Sequence, residues 1–521
     1  MAEAQELVAF CILSMVALPL GVGIGFIVRQ GSASNAGMWI AMSCFGAVVA
    51  LWLAIIVAMP TVFKKNGGEN EFEALVIVGL SESAGRSGFF DGVLRVDRVN
   101  IWLVGMTSVL SLCAAWYSLF GEGQRVLDYY GWLLVLESGA LATFLAESLL
   151  VFYVAFEFTL VPLLFIIGMW GGPQRRQAAL KFMIYTLAGS LLSLIGIVAV
   201  AYGFSGVTGR ALTFSISDLL NLSSRGTRLP LELQYWAFLA LAVGFGIKVP
   251  VIPLHTWLPA AHVEAPTAGS VLLAGVMLKL GAFGLLRMAV PLLPDATRVV
   301  GMSGGAVMAA GGIVYGALCA GAQEDIKRLV AYSSISHMGL CVLGLVSGTT
   351  LGVTGGVMQM INHGLITGAL FILVGCVYTR VHKRNMSELG GLAKVAPRWA
   401  GFFVFFCLAG LGLPGLNGFV SELLTIYGTL ISARVQWGAF FGLAGIVLSA
   451  WYLLTMVMKV CYGETRLPTT ASVSDLNKGE FCVLMLLASL CIAIGLFPGY
   501  LIQELMPQSR AIAALVSGSS P

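Results

Sequence analysis

Residues 244–270 read GFGIKVPVIPLHTWLPAAHVEAPTAGS, a stretch that sets a lysine, prolines and two histidines against an otherwise apolar, membrane-spanning run. Lys248 at bilayer depth costs about 2.5 to 3.5 kcal/mol, and Pro250 and Pro253 each withdraw a backbone donor, at roughly 3 kcal/mol inside a helix. A chain that carries all of these together is building an ion site on a broken helix. Freed carbonyls and an ionisable side chain then line a wet cavity within protein.

Working outward, the composition is 58% hydrophobic and 10% charged, with a mean hydropathy of +0.92, and apolar runs recur along all 521 residues. That excludes a soluble domain and predicts an all-α, polytopic membrane protein. Fourteen helices are expected, near 7–29, 38–60, 99–120, 131–147, 148–170, 178–204, 233–258, 266–292, 301–322, 327–346, 352–379, 400–430, 436–462 and 480–505. The opening MAEAQELVAF has acids where a secretory signal has bases, so the first run reads as a retained helix, and no organellar presequence is visible. Ten cysteines are scattered mostly through apolar runs with no C-x-x-C pair, which makes them packing residues. No metal and no redox centre is expected in this chain. A formal charge of +4 without a basic cluster gives no sign of nucleic acid.

Bases in short loops set the orientation. Arg175 and Arg176, Lys327 and Arg328, and Arg380, Lys383, Arg384, Lys394 and Arg398 all follow odd-numbered helices, so both termini are expected outside, away from the cytoplasm or matrix. The longer outside segments, 61–98 and 205–232, carry bases too, balanced by acids such as Glu69, Glu71, Glu73, Asp91 and Asp97.

A second breakpoint lies at 412–418, GLPGLNG, where Gly412 and Pro414 interrupt an apolar span just before Glu422. Helix seven breaks near 250 and helix twelve near 415, and helices four and nine start near 131 and 301. Both spacings are close to 165–170 residues, the trace of a five-helix repeat. Because five is odd, the second copy starts from the opposite side of the membrane, the inverted architecture of ion transporters. The expected division is 1–130 for helices one to three, 131–292 and 301–462 for the inverted repeats (helices 4–8 and 9–13), and 463–521 for helix fourteen and the tail.

Glu157 lies deep in VFYVAFEFTLVPLLFIIGMWGG. Alone there it would take up a proton, whereas beside Lys248 both groups hold their charge. The two are therefore expected within direct or one-water reach. Lys279 is near the middle of helix eight, and His337 and His363 sit on helices ten and eleven among Ser333, Ser334, Ser336, Asn362 and Thr367, which hold waters well. An imidazole suits proton exchange near neutrality. Glu422 is the acid of the second break. Glu137 in helix four, and His255 and His262 beside the first break, are further candidates for which capping or packing is an equal reading. Arg287 and Lys459, near helix ends, are expected to snorkel, Glu147 to sit at the interface, and His382 to be solvated.

With these residues assembled, the chain resembles the antiporter-like family that comprises the three related proton-pumping membrane subunits of NADH:quinone oxidoreductase, respiratory complex I, and the large subunits of multi-subunit sodium/proton antiporters. The resemblance runs from about helix three to the C-terminal helix. It is strongest in AFEFTLVPLLFIIGMWGG, the block from Lys248 to Arg287, QEDIKRLVAYSSISHMGL, INHGLITGALFILVGCVY and LPGLNGFVSELL. HVEAPTAGS is nearer the M, or chain 4, branch, and the short stretch after helix fourteen implies no long lateral helix. The resemblance implies that the acid at Glu157 pairs with Lys248, that Lys279, His337 and His363 continue a central hydrated axis, and that Glu422 ends it. It implies further that NADH, FMN, iron-sulfur clusters and quinone belong to partner subunits, that two related subunits flank this one among lipids, and that the membrane is a bacterial inner membrane or a mitochondrial one. A sodium/proton antiporter subunit is the alternative. At Glu147 relatives more often carry aspartate.

Overall fold

The structure, a computed structural model, describes residues 2–29, 35–63, 76–78, 93–120, 127–464 and 474–518. Most of the segment 61–98, including Glu69, Glu71, Glu73 and Asp91, lies outside the described residues. Eleven helices among them are long and apolar enough to cross a membrane. The expected helices four, seven and twelve are not in that set. Helix four is Leu127–Leu145, with Asp128 in its first turn, and the other two are each built from short pieces.

Local signals place the helix starts. Ser148 accepts from Leu150 N, Asp325 from Lys327 N and Arg328 N, and Thr349 from Gly352 N, while Asn477 and Glu480 form a reciprocal capping box. The apolar spans of helix eight (Thr267–Leu292) and helix eleven (Thr350–Val381) are buried, with Tyr378 near the end of helix eleven exposed, whereas helices one (Ala2–Arg29) and two (Asn35–Phe63) expose much of their apolar surface. The centre of the molecule is therefore the pair of helices that carry Lys279 and His363. Helix fourteen was expected over 480–505 and instead ends at Leu496. Pro498, which has no N–H to give, opens a separate helix, Pro498–Ser517, at the position where proline fits best.

Helix seven stops at Lys248 and resumes as Trp257–Glu264. Pro250 and Pro253 cannot donate, and the carbonyl of Ile247, left without a helical partner, accepts the Trp257 indole N–H at 2.8 Å. Helix twelve runs from Pro397 to Gly410 and resumes as Asn417–Leu430, with Gly412 and Gly415 at φ +77° and +93° in the gap. Only glycine takes these values without strain. Across the gap, the Asn417 carbonyl at the start of the second half accepts from Asn362 Nδ2 at 2.7 Å.

The two copies of the repeat share a signature at their junctions. Before helix five, Glu147 O accepts from Ile216 N (2.8 Å) and Leu149 N donates to Phe214 O (2.9 Å). Before helix ten, Glu324 O accepts from Met386 N (2.9 Å) and Ile326 N donates to Arg384 O (3.0 Å). In each copy the segment that starts one helix is thus bridged to the loop after the next helix, in the same hydrogen-bond register. A short antiparallel pair, Val76–Val78 with Leu94–Val96, is the exception to an all-helical fold among the described residues.

Candidate functional site

Lys279 is wholly buried. Its helix widens just upstream into a π-turn, Leu273–Met277, and the ammonium folds back to the Ala274 carbonyl inside that turn. The same Nζ lies 2.7 Å from His363 Nδ1 on helix eleven. While Lys279 is an ammonium it has no lone pair, so Nδ1 then accepts and the imidazole proton rests on Nε2. Helix eleven crosses close to helix eight because Gly275 and Gly364 face one another: a Cβ on Gly364 would stand 2.9 Å from the Gly275 carbonyl.

From His363 the chain of groups continues to His337, ring centroid to ring centroid 5.7 Å, and His337 Nδ1 lies 3.6 Å from Glu422 Oε1. Tyr452 Oη stands 3.5 Å from the other His337 nitrogen. A cavity of about 20 Å³, lined among others by Ser333, His337, His363, Thr367 and Glu422, has room for a single water between them. Around it, Ser421 donates to Gln359 at 2.6 Å, and Asn362 and Asn417 exchange hydrogen bonds. Gln359, Asn417, Ser421 and Tyr452 were not singled out in the sequence; their signal was their polarity inside apolar runs facing the second break.

Glu157 and Lys248 stand apart from this chain. Lys248 is buried, its Nζ 3.4 Å from Thr159 Oγ1 and 4.1 Å above the Phe156 ring. No ion-pair contact within 4.0 Å joins it to Glu157, although the two charges interact through space. Glu157 is half-buried near Ser190, with Oε1 unpartnered. The helices that bear the two lysines pack tightly, since a Cβ on Gly281 would meet Phe245 O at 2.8 Å and Lys248 Cβ at 3.0 Å.

The further candidates fall in three places. His262 is fully buried, stacked flat on Phe371 at 4.6 Å with both ring nitrogens unpartnered, and it interacts through space with both Lys327 and Lys279. His255 packs edge-on against Tyr315 and touches none of the central groups. Glu137 is buried with neither oxygen partnered, among the first helices and apart from the series Lys279 to Glu422. Lys459 and His382 are exposed, as expected.

One expectation is corrected. Arg287 does not snorkel: it is buried and hydrogen-bonded to Asp97, because the segment after Leu94–Val96 folds over the C-terminal end of helix eight and supplies a carboxylate. Glu147 is likewise buried, taking Arg95 Nη1 at 3.2 Å, Ser215 Oγ at 3.0 Å and Ser217 N at 3.0 Å. Arg95 also lies 3.4 Å from Asp97, so two arginines and two acids form one balanced cluster. Burial alone would raise the Asp97 carboxyl. Arg287, Arg95 and the N–H groups of Asn100 and Val99 outweigh it and hold the group below its ordinary value. At the opposite end, Lys327 was counted only as a loop base. It is buried and donates to the Ala265 carbonyl at 2.6 Å, closing the second half of helix seven beside a cavity of about 270 Å³ lined by Tyr117, Glu264, Thr267 and Arg384.

Residues 146–449 match the family described as NADH:quinone oxidoreductase/Mrp antiporter, transmembrane. The chain is 39% identical over 430 residues to NADH-quinone oxidoreductase subunit M of Rhodobacter capsulatus (80% of this chain, 81% of that one). It is 37% identical over 435 residues to NAD(P)H-quinone oxidoreductase chain 4 1 of Nostoc sp. (80% and 78%). Among solved structures, a chain of respiratory complex I from Thermus thermophilus with bound NADH superposes with a TM-score of 0.83 at 30% identity, covering 97% of this chain and 99% of that one. A chain of the Mrp complex from Dietzia sp. DQ12-45-1b shares the fold, with a TM-score of 0.82 at 20% identity over 100% and 99% of the two chains.

Proposed function

Since the chain belongs to the NADH:quinone oxidoreductase/Mrp antiporter transmembrane family, we propose that it is a proton-translocating membrane subunit of NADH:quinone oxidoreductase, with Glu157, Lys248, Lys279, His337, His363 and Glu422 as its stations. The observation that carries this reading is the buried succession Lys279, His363, His337, Glu422. Adjacent members are linked at 2.7 Å, 5.7 Å between rings, and 3.6 Å. Burying so many ionisable groups in a membrane protein costs several kcal/mol with no structural return.

Each group has a task. Lys279 holds a proton between a carbonyl and an imidazole, and His363 accepts it at Nδ1 while its Nε2 proton is free to leave toward His337. Glu422 receives it at the second break. Lys248 and Glu157 form the switch. Moving one charge against 100 mV takes about 2.3 kcal/mol, and a hundredfold change in the proton affinity of Lys248 is worth about 2.7 kcal/mol. A modest approach or retreat of Glu157 is therefore sufficient in energy. The Thr159 hydroxyl on Lys248 is the contact such a movement rearranges. His262, stacked on Phe371 and interacting through space with both Lys327 and Lys279, is a further candidate beside this series.

In this reading the energy comes from elsewhere. NADH, FMN, iron-sulfur clusters and quinone are held by partner subunits, related antiporter-like subunits lie on either side among lipids, and both termini face the outside of a bacterial inner membrane. The repeats 131–292 and 301–462 are its two half-units. The loop bases on one side and the bacterial relatives support that placement. Replacing Lys279 by Ala in the reconstituted complex tests the whole. Proton pumping is expected to fall steeply, while electron transfer from NADH to an acceptor upstream of quinone stays normal. Pumping at the wild-type ratio would make Lys279 structural and the relay wrong.

A further inference from the structure

At the second break the glycine does more than turn the chain. Gly412 has φ +77°, and a Cβ built on it would overlap Glu422 Oε2. That oxygen is buried and has no hydrogen-bond partner, while its twin Oε1 faces His337 Nδ1 at 3.6 Å. The unpartnered oxygen is therefore parked against a bare Cα, in the one place where a side chain is missing. Three residues on, Gly415 has φ +93° in the same break, yet nothing stands within 4 Å of the position its Cβ would take. Both glycines answer a backbone demand, and only one also makes room for a functional carboxylate.

We infer that Gly412 is a positioning residue for the relay: the space left by its absent Cβ fixes the Glu422 carboxylate in the orientation that aims Oε1 at His337. This rests on the assignment of Glu422 as a proton station. The obstructing atom is the end of a flexible side chain, so a methyl group at 412 moves the carboxylate rather than the backbone around it. The displaced acid swings into the small cavity shared by Ser333, His337 and His363 and loses its alignment with the imidazole. A misplacement near 1 Å costs a positioned group up to about 100-fold.

The intact NADH:quinone oxidoreductase, reconstituted in vesicles, provides the test, with the initial rate of NADH-driven proton uptake read over pH 5 to 9 and electron transfer to an upstream acceptor as the measure of assembly. Gly412→Ala is expected to lose on the order of tenfold in uptake and to shift its pH profile. Gly415→Ala carries a similar positive-φ penalty and should pump at the wild-type ratio. Shortening the acid, in Gly412→Ala/Glu422→Asp, should restore uptake above the Gly412→Ala level. Should alanine at 412 prevent assembly, Gly412→Asn, which tolerates the left-handed conformation while adding a Cβ, gives the same comparison. Equal losses in Gly412→Ala and Gly415→Ala, or wild-type uptake in Gly412→Ala, would overturn the assignment. Glu422→Gln separates the two readings: wild-type uptake there refutes Glu422 as a station, whereas lost uptake there beside an unaffected Gly412→Ala refutes the positioning alone.

Discussion

In the proposed relay the decisive property of Lys279 is that the group can both hold and release a proton. The ammonium is held by one carbonyl and one imidazole nitrogen, with no carboxylate in contact to fix its charge. Arginine would keep the charge and the reach, but a guanidinium does not deprotonate in the accessible pH range. Lys279→Arg is thus expected to fail as completely as Lys279→Ala when proton uptake is measured against NADH oxidation. Partial pumping by the arginine variant would mean that the position supplies only a positive field. Asp97 has the opposite assignment, permanently charged and structural. Removing it strands Arg287 and should destabilise the protein by about 3–5 kcal/mol, whereas Asp97→Asn combined with Arg287→Met should recover much of that loss in thermal unfolding. The Asp97 carboxyl is held below its ordinary value. Its stabilising contribution is therefore complete above about pH 3.9 and disappears only as pH falls through the lower folded value. The gap in melting temperature between wild type and Asp97→Asn should stay level from pH 5 to 8 and close only in strong acid.

At the scale of elements, the broken helices carry their own repairs. Ile247 O is freed by the break and takes the Trp257 indole, which also packs against Phe182 at 5.3 Å. Trp257→Phe keeps most of the ring packing and leaves a buried acceptor bare, at a cost of about 1–3 kcal/mol. A lower thermal midpoint with pumping retained at room temperature is the expected result, and an unchanged midpoint would show that the indole is not the cap. Both breaks were legible in the sequence because proline and glycine beside a charge inside an apolar run have few other readings, and Lys279, His363 and Glu422 stood out for the same reason. What the sequence hid lay far apart along the chain. Asp97 is 190 residues from Arg287, and a charge near a helix end reads as snorkelling until the segment that covers it is known. Lys327 looked like a loop base because its partners, the carbonyls at the end of helix seven, are backbone atoms that leave no mark in composition. The end of helix fourteen was legible in Phe497-Pro498 and was overrun by the hydrophobic pattern around it.

At the scale of the whole molecule, fold and function separate. The complex I chain and the Mrp chain superpose almost equally well, with TM-scores of 0.83 and 0.82, although one is 30% identical to this protein and the other 20%. One helical fold therefore occurs in two kinds of assembly, and the architecture alone does not specify the transported ion. The ion is specified by what lines the path. Sodium needs several oxygen ligands converging on one point, and the described central groups are instead an ammonium, two imidazoles and a carboxylate linked in series. In the proposed relay such a series suits proton transfer, with Glu422 as its one carboxylate between Lys279 and the second break. NADH-driven acidification by vesicles holding the assembled complex is accordingly expected to proceed at the same ratio of protons to electrons when all sodium is replaced by choline. A ratio that fell in choline and recovered with added sodium would assign the chain to the antiporter side of its family.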